Sequence, residues 1–272
     1  MNASVRNRRG SAGFSLIELM ISLVIGMIVI GGAVSLFAAN RQTYRATEGI
    51  SRLQENARIA FELMARDVRE AAGNPCGKNL PIANVLNTTA GAWWTGWGDG
   101  IRGYAGNAAF GGAAFGTAAG ERVAGTEALE LRSGQTIPGV TIVQHVVTSA
   151  RFDFNVNDHT LEDGDIVMVC DYRQASIFQV TSSQTGTNSN VVHNAGGSTV
   201  PGNCSKGLGF PPICTANGNG YQYSTNSILT RLNASGWYIG NNGRGGNSLY
   251  RVFLVNTSGT PGAQRQEVAE NI

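Results

Sequence analysis

Proline is missing from the whole stretch between Phe14 and Asn74, although the chain has 272 residues and seven prolines in all. Nothing there removes a backbone N–H or clashes with a preceding carbonyl, so one uninterrupted helix is allowed. Charge is thin as well: 14% of residues are Asp, Glu, Lys or Arg, with 20 basic against 18 acidic. That near balance offers no polyanion-binding surface, and nucleic acid is not expected as a partner. There is no Cys-x-x-Cys pair, and His145, His159 and His193 show no ligand spacing, which argues against a zinc site. There is no Gly-x-Ser-x-Gly elbow and no Walker A loop, since Gly77-Lys78 is followed by Asn79. The Gly-x-Gly at Gly96 and Gly98 has no strand before it and no helix after it. These absences point to no enzyme, no metal and no cofactor.

The leader MNASVRNRRGSA lacks an apolar core, unlike a secretory signal. The apolar run GFSLIELMISLVIGMIVIGGAVSLFAA starts instead at Gly13, so a cut after that small residue would keep the apolar segment. From Phe14 to Ala39 the single charged side chain is Glu18; these 26 residues at about 1.5 Å each give roughly 39 Å, enough to cross a core of about 30 Å with tilt. An ionisable group in such a span costs on the order of 2.5 to 3.5 kcal/mol at the bilayer centre and less near an interface. Cleavage would create a counter-charge, the α-amine of Phe14, whose reference pKa of about 7.7 to 8 keeps it mostly protonated at neutral pH. Amine and carboxylate lie about one turn apart, so an axially shifted neighbour could set its amine against Glu18 and register staggered helices. The plainer alternative is a signal anchor with an incidental interfacial glutamate.

The segment GFSLIELMISL behind a short basic leader resembles the type IV prepilin signature: Gly before the cut, Phe after it, Glu at the fifth mature position. The resemblance implies that a prepilin peptidase in the inner membrane cuts after Gly13 and methylates the amine of Phe14. It also implies that Glu18 pairs with the amine of an adjacent pilin. Arg6, Arg8 and Arg9 precede the span with no acidic residue among them, which keeps the leader cytoplasmic and sends the C-terminal part to the periplasm or beyond. Removing the leader leaves 17 basic and 18 acidic residues.

The expected organisation is a leader over 1–13, a transmembrane and stalk helix over 14–74, and a β-rich periplasmic domain over 75–272. In the stalk, Ile50, Leu53, Ala57, Ala60, Phe61, Met64, Val68 and Ala71 recur at three- and four-residue steps, the pattern of an amphipathic helix whose apolar stripe packs under a domain. Its arginines alternate with Glu48, Glu55, Glu62, Asp67 and Glu70, the mark of a solvated face. Gly73 followed by Pro75 reads as the stop. Gly26, Gly31 and Gly32 are either weak points or places of close helix packing.

Beyond Pro75 the period changes. The segments at 128–132, 140–149, 151–156, 165–171, 175–182 and 249–256 are rich in β-branched and aromatic residues and read as an antiparallel sheet. Stretches 87–126, 183–205 and 215–247, rich in Gly, Asn, Ser, Thr and Ala, read as irregular loops. The fold class expected is therefore α+β and pilin-like. Four cysteines on the translocated side fit two disulfides with three connectivities; Cys204 with Cys214 and Cys76 with Cys170 are favoured, the latter stapling the helix end to the sheet. Trp93, Trp94 and Trp97 pack under a long loop or, alternatively, form a platform for a partner. Asp158, Glu162, Asp163 and Asp165 lack the full calcium-loop pattern, and Asp163-Gly164 is a hairpin-turn pair.

The stalk end RIAFELMARDVREAAGNPCG and the later DIVMVCDYRQASIFQVT resemble the PilW family of minor pilins. That likeness implies a structural subunit that primes type IV pilus assembly at the inner membrane. It would sit in the tip or initiation complex with other minor and major pilins and a tip adhesin, and be displayed on the cell surface. The alternative is a J-like minor pseudopilin of a type II secretion system; a third is a ligand-binding tip module using the tryptophan loop.

Overall fold

In the computed structural model the described residues are 13, 15–73, 75–77, 79–87, 92–196 and 200–270. The chain divides into two compact units, Met1–Glu55 and Asn56–Ile272. The division falls inside a single helix, α1 (Leu16–Glu70), so its last fifteen residues belong with the β-sheet domain. With no proline to interrupt it, α1 runs unbroken through Gly26, Gly31 and Gly32. Hydroxyls in the apolar part turn back on the helix: Ser22 donates to the Glu18 carbonyl (2.7 Å) and Ser35 to that of Gly31 (2.8 Å). Each thereby satisfies its polar group without water.

Among the described residues the second unit is built on twelve strands. They are β1 (Ile82–Asn84), β2 (Ile101–Tyr104), β3 (Ala128–Thr136), β4 (Ile142–Val146), β5 (Arg151–Phe154) and β6 (Ile166–Cys170), followed by β7 (Ala175–Gln179), β8 (Ser182–Ser183), β9 (Asn190–Val192), β10 (Ile228–Asn241), β11 (Asn247–Thr257) and β12 (Thr260–Glu270). The central strand is β10. One of its edges pairs with β3 over Thr230–Tyr238; the other is shared, with β6 along Ile228–Arg231 and β11 along Ser235–Asn241. The sheet therefore forks, with β7 and β1 beyond β6, and β12 beyond β11. A second sheet has the order β4-β5-β9-β8.

Strand alternation distributes the core on both faces. Leu131, Trp237, Leu249 and Ala269 pack with Ala60 of α1, while Tyr238, Tyr250 and Val252 pack with Phe110 and Ala113 of the 105–126 loop. On β6, Ile166, Met168 and Cys170 join Trp94, whereas Val167 and Val169 join Phe152 and Phe154 of the second sheet. Both faces of β6 and β7 are buried, which is why β6 reads as a continuous apolar run, while Ser176 and Gln179 of β7 donate to the Leu208 and Gly164 carbonyls.

Four expectations need correction. The sheet is mixed, because β1 pairs with β7 in parallel. The stretch expected as a loop over 215–247 contains β10, the central strand. Its Gly236 is not a turn signal: a Cβ there would lie 2.5 Å from Phe110 Cζ and 3.1 Å from Val252 Cγ1, so glycine permits close packing inside the strand. The stalk's apolar stripe is only partly covered. A helix resting on a sheet touches it along one line, here Ala60, Met64 and Ala71, while Phe61 is 72% exposed and Ile50, Leu53 and Val68 also face out. Finally, the stretches expected as loops over 87–126 and 183–205 hold the short strands β2 and β9 and the end of β8; after α1, which stops as expected, the left-handed residue is Ala72 (φ 58°), whose N–H donates to the Arg132 carbonyl at 2.8 Å.

Candidate functional site

Gly13 is exposed and precedes the helix; Phe14, the expected cleavage and methylation residue, lies outside the described residues. Ser15 caps α1 by accepting the Ile17 N–H at 3.3 Å, which places Glu18 in the first helical turn. There the unpaired backbone N–H groups and the helix dipole favour a carboxylate. Glu18 is exposed, and among the described residues its carboxylate has no hydrogen-bond or ion-pair partner. Behind it the helix is long and apolar enough to cross a membrane, with a mean hydropathy of 2.5 over its most apolar 18 residues and none of them buried.

The helix of the second unit is tied to the sheet by a polar contact that sequence reading missed. Asp67, expected on the solvated face, accepts hydrogen bonds from Arg251 Nε (2.7 Å) and Nη2 (3.0 Å) and from Trp237 Nε1 (3.0 Å). A signal for it existed: Asp67 is three residues from Met64 and four from Ala71, on the buried line of the helix. Three arginines that do face solvent form i,i+4 pairs, Arg52 with Glu48, Arg58 with Glu62 and Arg66 with Glu70.

Cys76 is bonded to Cys170 and Cys204 to Cys214, the two pairs favoured from the sequence. The first joins the segment after α1 to the end of β6. Trp93 and Trp94 form a short 3₁₀ turn with rings edge to face at 6.0 Å; Trp94 is buried, and Trp93 and Trp97 are half-buried against the cluster holding that disulfide. The Arg132 guanidinium lies over Trp97 and donates to the Trp93 carbonyl at 3.2 Å, while pairing with the buried Glu130. Glu130 in turn accepts the Tyr104 hydroxyl at 2.5 Å; burial first, then that carboxylate, push the phenol up to about 12.

The acidic stretch is engaged within the fold. Asp165 pairs with Arg231 (3.0 Å) and accepts Asn256 Nδ2 (2.8 Å), and the Asp163 carboxylate accepts the Ser183 N–H, with Gly164 in the left-handed region (φ 88°). Among the described residues no three His, Cys, Asp or Glu side chains are grouped to hold a metal ion.

The chain matches the family described as the prokaryotic N-terminal methylation motif over residues 8–34. No curated protein and no solved structure matches it. A methylation motif of this kind implies processing by a prepilin peptidase and assembly with other pilins, and it fits a single-pass inner-membrane anchor. That motif, with one long apolar N-terminal helix whose end packs on a mixed β-sheet, supports a type IV pilin- or pseudopilin-like protein.

Proposed function

We propose that this chain is a PilW-type minor pilin, a structural subunit that primes type IV pilus assembly and sits in the tip or initiation complex. The observation that carries the reading is Glu18: an exposed carboxylate in the first turn of an apolar helix, with no partner among the described residues of its own chain. A charge so placed calls for a counter-charge, and the methylated amine of Phe14 on a neighbouring subunit has the sign to supply it. The leader stays cytoplasmic, the peptidase acts at Gly13, and residues 75–272 stand in the periplasm before the subunit moves into the pilus. The Cys76–Cys170 staple and the β7 strand, in the two segments that resemble PilW, support the pilus over a J-like pseudopilin.

The test is mass analysis and fractionation in the host bacterium. The mature protein should begin at N-methylated Phe14, and Gly13→Phe should accumulate at the mass of the full chain. Glu18→Ala should be processed yet lost from sheared pili. A mature chain starting elsewhere, or normal incorporation of Glu18→Ala, defeats the reading. Deletion separates the two systems: lost twitching marks a pilin, lost exoprotein secretion a pseudopilin.

A further inference from the structure

The second sheet carries a pair of buried histidines that the pilin role does not use. His145, on β4, and His193, just after β9, are 2% and 0% exposed, and their Nε2 atoms face one another at 3.2 Å. His145 stacks on Phe152 at 4.0 Å, and His193 packs against Phe178 and Phe152. The His145 Nδ1 accepts the Tyr223 N–H at 3.2 Å. That bond assigns the tautomers: with Nδ1 an acceptor, neutral His145 carries its proton on Nε2, donates it to His193 Nε2, and leaves the His193 proton on Nδ1. The His193 Nδ1 is buried without a partner, so the chain of bonds ends there.

This arrangement has no place for another proton. Adding one to His145 Nδ1 sets it against the Tyr223 N–H; adding one to His193 Nε2 sets two N–H groups head to head. Either way a hydrogen bond breaks and a charge is left among aromatic rings. The surroundings offer no relief. On β5, Arg151 and Asp153 pair with each other; the Tyr223 hydroxyl is bound by Ser176 and Gln174; and the nearby cation, Lys206, donates to the Thr148 carbonyl. Among the described residues no carboxylate hydrogen-bonds either imidazole.

The bonds that depend on the pair are local. The 222–226 segment is held on β4 by Tyr223 at His145, by Thr225 Oγ1 at the Val143 carbonyl and by the Asn226 N–H at that of Ile142. The turn after β9 is held by the His193 N–H at the Ala150 carbonyl, 2.8 Å. We propose that the His145–His193 pair is an acid-operated latch that clamps the 222–226 segment and the turn after β9 onto the second sheet, and releases them when the pH falls. Burial draws His145 down to about 4; burial, then the neighbouring imidazole and Lys206, draw His193 down to about 3. A released imidazole titrates near 6.5. The open state therefore binds more protons: the latch is fully held above about 6.5 and weakens as the pH drops toward 4.

Because the chain has three histidines, selective nitrogen-15 labelling of histidine in the full-length protein in detergent micelles can follow each ring. At pH 7 His145 should carry its proton on Nε2 and His193 on Nδ1, with both still neutral at pH 5. Hydrogen exchange at the Tyr223 amide, corrected for its intrinsic rate, should then rise by up to about 100-fold per pH unit below 6 while both rings stay neutral, tenfold from each ring. The Tyr250 amide on β11 should stay protected. In His193→Gln, which keeps an acceptor for His145, the dependence should fall to about tenfold per unit. Either ring titrating near 6.5 in the folded protein, or Tyr223 protection independent of pH in the unmodified chain, overturns the latch whether or not the variant folds. Neither outcome bears on processing at Gly13.

Discussion

Asp67 on α1 and Arg251 on β11, 184 residues apart in sequence, meet in a two-pronged ion pair, Nε to Oδ2 at 2.7 Å and Nη2 to Oδ1 at 3.0 Å. Trp237 donates to the same carboxylate from β10, so one side chain of the helix is bound to two adjacent strands. Because Asp67 is largely buried, removing it alone leaves Arg251 and the Trp237 N–H without their acceptor.

Asp67→Ala should lower the unfolding free energy by about 2 to 4 kcal/mol. Arg251→Met should cost less, since Asp67 keeps the indole donor. The double variant should fall short of the sum by about 1 to 3 kcal/mol. Urea titration of the four proteins checks this; additive losses would mean the pair does not act as a unit.

Reducing the disulfides should act unequally. Cys76–Cys170 spans 94 residues and Cys204–Cys214 spans 10. Loop entropy alone puts their contributions at roughly 4.7 and 2.7 kcal/mol. Serine substitution of each pair, read by the urea midpoint, should show the larger loss at 76 and 170.

Arg122 is fully buried and donates to the carbonyls of Ala105, Ala108 and Thr126, with Phe115 beneath its guanidinium at 4.7 Å. Burial lowers its pKa from the usual arginine value. Arg122→Met should cost about 2 to 4 kcal/mol by stranding buried acceptors. Arg122→Lys should not rescue it, because one ammonium cannot span three carbonyls as a planar fork does. Proteolysis within 105–126 is a local readout: cleavage should rise in both variants.

Gly236→Ala should destabilise the domain by about 1 to 3 kcal/mol, because the new methyl group meets Phe110 and Val252. Gly98→Ala, where nothing lies within 4 Å, should be near neutral. Equal effects on the thermal midpoint would remove the packing account of β10.

Legibility differed between the two parts of the chain. The apolar segment and its stop were readable because helix signals are local: no proline, a single charge and a glycine-proline boundary lie within a few turns of what they control. Strands β6 and β11 were readable for a similarly local reason, as segments rich in β-branched and aromatic residues, and β3 and β7 as short segments bounded by turn formers. β10 was not, because the Asn, Ser and Gly residues in ILTRLNASGWYIGN resemble a loop until Phe110 and Val252 are brought against Gly236. Asp67 failed in the other direction: a carboxylate among helix arginines looks solvated until the strand carrying Arg251 is folded beneath it.

By itself the sequence determined the N-terminal motif, the apolar span with its one carboxylate, the helix that follows and the pool of cysteines, since each depends on residues close along the chain. Only the tertiary structure decided the forked sheet around β10, the line of α1 that touches it, the hold of Arg251 on Asp67 and the meeting of His145 with His193. Those rest on contacts between residues tens to nearly two hundred positions apart, and short-range periodicity carries no record of which distant partner a side chain will meet.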